Sequence, residues 1–215
     1  WASAGRVVDD GGENWHEEYV AWTGTDPDGF YSLFVEPGSN YFVAAGGSDG
    51  STWLRQYYSN ATDALSATPV ATAVGSPATN VDFDLRQGAL ITGQVLGGGT
   101  PLENAQVDAS AIVYPSGGGW YTEMKGWASS DASGVYRMVL EPGTNYVVAA
   151  RGPEGSPWVR TYYPGTYDAL TASHVATDTN APATDIDFDL QAGATISGWV
   201  RSRTGNPLAY YPLSV

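Results

Sequence analysis

The sequence predicts an all-β chain: two tandem β-sandwiches of the Ig-like or transthyretin-like kind, followed by one further strand. Three observations carry this expectation. Apolar residues alternate over short runs, the period of a half-buried strand and not of a helix. The runs are punctuated by turn residues, with 27 Gly and 13 Pro among 215 residues. The text from Trp15 to Val95 also recurs 105 positions further on, without a gap and with roughly half the residues identical, so an internal duplication underlies the chain.

The strands follow from the second copy in order. Alternating runs fall at about 105–114, 134–140, 145–151 and 157–163. In TDIDFDL, Ile186, Phe188 and Leu190 share one face while Asp187 and Asp189 share the other. The breaks carry turn chemistry: DPDG at 26, DASG at 131, and EPG at 36 and 141. Some seven short strands in about a hundred residues is the count of a sandwich.

Composition narrows the function. The net charge is -14, so a phosphate backbone or an anionic membrane surface would repel the molecule. No nucleic-acid partner is expected. Nor is membrane insertion, because no apolar run has the length of a spanning helix. The chain reads as a soluble segment, mature or excised. Cysteine is absent and Lys125 is the only lysine, which removes disulfides, thiolate metal sites and a lysine cross-link in each copy.

Across the second copy run GALITGQV at 88, PLENAQVDA at 101, SDASGVY at 130, LEPGTNYVVAA at 140, YYPGTYDAL at 162 and ATDIDFDL at 183. This frame resembles the carboxypeptidase regulatory-like domain, a transthyretin-like β-sandwich. The resemblance covers almost the whole chain. It implies tandem modules of bacterial surface proteins, an extracellular or cell-surface location, and a spacer or stalk role more than a site of chemistry.

The two copies differ in phase. Trp1 aligns with Gln106, so the first copy has no counterpart of residues 88–105, its opening strand. GATISGWVRSRTGNPLAYYPLSV at 193 repeats that opening once more. The expected organisation is a first sandwich over 1–87 lacking one strand, a complete second over 88–192, and a strand of a third unit over 193–215. A sandwich short of a strand exposes unpaired backbone and an open core edge. The tail of a neighbouring molecule fits that need, by strand addition in trans, and a head-to-tail contact that does not close gives a filament. Ile196, Val200 and Leu208 align with Ile91, Val95 and Leu102, the last after a one-residue insertion near Asn206. Arg201 and Arg203 make the tail cationic, whereas residues 1–87 hold twelve acids and three arginines, a balance of -9. Opposite signs steer the two together. The other arrangement these data allow is a window cut out of phase from a longer covalent array.

Catalytic motifs are not found, and the chain is read as a non-enzyme without cofactor. His16 and His174 stand at neither HExxH nor HxxE spacing, and no GxSxG elbow occurs. Asp26 and Asp28 in TDPDGFY resemble the start of a calcium loop but lack its third acid and closing Glu; a hairpin turn explains them. The pairs Asp82/Asp84 and Asp187/Asp189 read as solvated carboxylates on an outer strand face. Asn60 begins the sequon NAT, a possible glycosylation point. Aromatic residues supply the competing function: Trp53 and Tyr58, recurring as Trp158 and Tyr163, are candidates for stacking on sugars. Two classes therefore stand, a structural subunit of a homopolymeric fibre and a carbohydrate-binding tandem module.

Overall fold

Alternating apolar residues become strands here wherever a neighbour takes up their backbone hydrogen bonds. The computed structural model describes residues 1–207 apart from Glu13 and Asp49. In the first repeat, β1 (Ala2–Gly11) and β2 (Asn14–Thr23) form an antiparallel hairpin with a bulge after Ala4. β3 (Asn40–Ala45) pairs with β1, and the short β4 (Gln56–Tyr57) and β5 (Val70–Ala71) pair with β3. The sheet order is β2-β1-β3-β4 with β5 beside β3.

The second repeat contains β6 (Ala89–Gly97), β7 (Thr100–Pro101), β8 (Gln106–Val113), β9 (Tyr121–Ser129), β10 (Val135–Leu140), β11 (Asn145–Arg151), β12 (Thr161–Tyr162), β13 (His174–Ala176) and β14 (Phe188–Leu190). A single 3-10 turn, Ala169–Thr171, precedes β13, and the Asp168 carboxylate caps it by accepting from the Leu170 N–H. One sheet runs β12-β11-β8-β9, with β13 on β11. The other runs β10-β6-β14, with β7 on β6. Ile91, Val95, Tyr136, Met138, Leu140, Phe188 and Leu190 of the smaller sheet share one core with Val107, Ala109, Tyr146, Val148 and Ala150 of the larger. The chain is thus all-β and sandwich-like. Each such large side chain removed from water stabilises the fold by roughly 1.5–3 kcal/mol.

Strands predicted at 105–114, 134–140 and 145–151 form within two residues of those limits. The run at 157–163 shortens to Thr161–Tyr162, because Trp158 and Val159 bond instead to residues 191 and 192. The larger departure is in the first repeat. Its sheet is the counterpart of β12-β11-β8-β9, but segments 30–35 and 81–85, aligned with β10 and β14, form no strand. The aligned runs alternate alike in both copies, so apolar periodicity does not separate them. What separates them is β6, the common partner of β10 and β14.

Candidate functional site

In the second repeat β6 runs antiparallel to β10 and parallel to β14, with Ile91 opposite Met138 and Val95 opposite Phe188. The strand is held by more than its ladder. The Asp187 carboxylate accepts from the Gln94 N–H at 2.7 Å, and the Asp189 carboxylate accepts from the Gly99 N–H at 2.9 Å. Both aspartates are exposed on the outer face, as the alternation predicts, and their carboxylates also accept backbone N–H groups of β6 and of the turn that follows it. Gly93 passes so close to the Ile186 carbonyl that any Cβ there would overlap it. Tyr136 ties the two flanks together by donating from its hydroxyl to the Ile186 carbonyl at 2.8 Å.

The first repeat keeps this frame without a strand in it. The Tyr31 hydroxyl donates to the Val81 carbonyl at 2.6 Å. The Tyr31 and Phe83 rings stand 6.4 Å apart, against 6.5 Å for Tyr136 and Phe188. Tyr58 packs on Phe83 at 6.2 Å as Tyr163 packs on Phe188 at 6.3 Å. The flanks are therefore braced at the same separation as in the second repeat. Yet Tyr31, Leu33, Val35, Val81, Phe83 and Leu85 are only half-buried, whereas their six counterparts in β10 and the 186–190 segment are buried. Among the described residues, the Asp82 and Asp84 carboxylates accept no hydrogen bond. Burial pushes the Tyr31 phenol up to about 12, with smaller contributions from the Asp82 charge and Tyr58.

Residues 193–200 form no strand among the described residues and lie largely exposed. Ile196 is 94% and Trp199 81% exposed, and Val200 is half-buried. Arg201 lies over the Trp199 ring at 5.3 Å, and Arg203 is exposed in the turn that follows. That turn brings Arg201 opposite Pro207, just as β6 and β7 bring Leu96 opposite Pro101. The hairpin supports the one-residue insertion read from the sequence. Leu208 lies outside the described residues. Nothing lies within 4 Å of where a Cβ on Gly198, the counterpart of Gly93, would stand.

The remaining predicted residues fall elsewhere. Asp26 accepts through one carboxylate oxygen from the N–H groups of Asp28 and Phe30 at 3.0 and 2.8 Å, closing a turn; Asp131 does the same for Ser133 and Val135. Asn60 is exposed, in a left-handed turn with φ 61°. Of the sugar-stacking candidates, Tyr58 and Tyr163 turn inward against Phe83 and Phe188 instead of outward. Of their sequence neighbours, Tyr57 is itself buried against Phe42 and Tyr162 is half-buried. Trp158 packs over Gly97, and Trp53 stands half-exposed beside Gly47. On the outer sheet face Arg55 bonds Glu17 and stacks on Tyr19 and Tyr57. Arg160 instead bonds Asp108 at 2.8 Å, and burial raises the Asp108 carboxyl against the pull of Arg160. Among the described residues, no three His, Cys, Asp or Glu side chains gather as a metal site would need.

No family model matches the chain, and no curated protein or solved structure is significantly similar to it.

Proposed function

We propose that the chain is a self-associating structural subunit, in which residues 193–207 of one copy enter the slot between 30–35 and 81–85 of another. On this reading residues 1–87 and 88–192 are tandem sandwiches of the transthyretin-like kind. The tail opens a third, and repetition of the contact builds an extracellular filament or stalk. The observation that supports it most is the tyrosine-braced slot in the first repeat, held at the spacing that β6 occupies in the second.

On this reading each tail residue takes the place of its counterpart in β6. Ile196 lies opposite Leu33, and Val200 lies beside Phe83. Gly198 slips past the Val81 carbonyl as Gly93 does past Ile186. Asp82 accepts from the Trp199 N–H in the manner of Asp187. Asp189 stands beside Leu96 in the ladder, so Arg201 takes its place next to Asp84 and forms an ion pair where the internal strand has an apolar residue. That pairing favours the tail over the internal strand type and quickens encounter at low salt.

The test is sedimentation of the 215-residue chain over a range of concentrations, with electron microscopy of the heavier species. Association is expected to rise with concentration and to give rods or filaments. Ile196→Asp together with Val200→Asp should abolish it while leaving the second repeat folded, because an unpaired carboxylate does not enter an apolar slot. Association that persists in the double variant would refute strand donation by the tail. A dispersed monomer at every concentration would instead favour a slot filled by residues of the same chain, as in a covalent array.

A further inference from the structure

We infer that Phe34 is a joint residue between copies, seated against Val159 and Gly193 of the copy that donates the strand. This rests on the strand-donation reading and adds a second contact to it.

The internal joint between the repeats supplies the pattern. Where the first repeat ends, residues 52–54 run alongside 86–88: the Leu54 N–H donates to the Arg86 carbonyl at 2.9 Å and the Gly88 N–H to the Thr52 carbonyl at 2.7 Å. Against this clamp packs the outer edge of β10. A Cβ on Gly88 would stand 2.5 Å from Val139 Cγ1 and 2.8 Å from Leu54 Cδ2, so Leu54, Gly88 and Val139 meet at one point. Arg86 and Glu141 close the joint with a two-pronged ion pair of 3.0 and 2.8 Å.

The same clamp is built again at the end of the second repeat. The Val159 N–H donates to the Gln191 carbonyl at 3.0 Å and the Gly193 N–H to the Pro157 carbonyl at 2.8 Å. A Cβ on Gly193 would stand 2.7 Å from Val159 Cγ2. Here the third member is absent among the described residues, and Val159 is 38% exposed. The residue in register with Val139 is Phe34, which is 92% exposed, the extreme among the described aromatic side chains. Strand entry in the β6 register carries Phe34 onto Val159. The sizes compensate: a leucine and a valine meet at the internal joint, a valine and a phenylalanine at the joint between copies. At the position of the Arg86–Glu141 pair stand Gln191 and Glu36. The contact between copies therefore keeps the apolar part of the internal joint and lacks its ion pair.

Two measurements on the full chain test this: self-association by sedimentation, and uptake of a synthetic peptide of residues 194–215, which lacks both Val159 and Gly193. Phe34→Ser should weaken self-association by about 10- to 100-fold, the scale of a buried aromatic side chain, and leave peptide uptake unchanged. Val159→Ser should weaken self-association in the same sense, and the pair of substitutions should lose less than the sum of the two, as residues in contact do. Self-association that is insensitive to Phe34→Ser, with the peptide still bound, overturns the joint contact alone. Equal losses in peptide uptake and self-association place Phe34 inside the slot and also overturn it. Failure of the unaltered chain to take up the peptide overturns the strand-donation reading and the joint with it.

Discussion

Tyr31 is the residue on which the proposed slot turns. Its hydroxyl holds the Val81 carbonyl, and burial raises its phenol from 10 to about 12. A raised folded-state value means the neutral phenol is the form the fold retains. Its stabilisation is fully present below pH 10 and is lost as the pH climbs through about 12. The slot should therefore loosen in that window, and self-association with it, since a phenolate beside a carbonyl oxygen is repelled. Ultraviolet titration of tyrosinate alongside sedimentation checks this, and Tyr31→Phe should weaken the dependence of association on alkaline pH. The sequence marks Tyr31 only as one more aromatic in an alternating run. Its bond to Val81 spans fifty positions, and no local period encodes such a contact. The hydrogen bonds of Asp187 and Asp189 escape the sequence for a related reason. Alternation correctly puts Asp187 and Asp189 on the side away from the core, but it does not reveal that a neighbouring strand presents N–H groups there.

At the scale of elements, strand identity in this chain is decided by partners more than by propensity. FYSLFV and VDFDL of the first repeat carry the same alternation as VYRMVL and IDFDL of the second, yet only the latter become β10 and β14. Sequence reasoning finds the runs and the phase difference because both are local or periodic. It does not show which sheet each strand joins, or that 157–163 spends its first residues clamping 191–193. The glycine of the inserted strand gives the sharpest element-scale test. Gly198 has open space around it in the isolated chain, so Gly198→Val should leave the unfolding free energy of the dispersed chain within about 0.5 kcal/mol of the parent. In the slot its side chain meets the Val81 carbonyl, as a Cβ on Gly93 would meet Ile186. Association should fall at least about 100-fold. A variant that associates normally would show that the tail does not adopt the β6 register.

At the scale of the whole molecule the repeats differ in closure, and closure sets local stability. β10 and β14 bond to β6 and bury their inner residues, whereas 31–35 and 81–85 have half-buried side chains and no ladder among the described residues. Hydrogen exchange of the dispersed full chain should therefore be fast over 31–35 and 81–85 and slow over 135–140 and 188–190, although the aligned texts are close. On association the fast segments should gain about 100-fold protection, and Ile196 and Val200 should become protected with them, because a strand ladder closes both sides at once. The direction of the change separates the alternatives. A carbohydrate added to a tandem binding module would protect exposed aromatic positions and leave 81–85 unchanged. A strand received from a neighbour protects the slot and the tail together, to the same extent and with the same dependence on concentration.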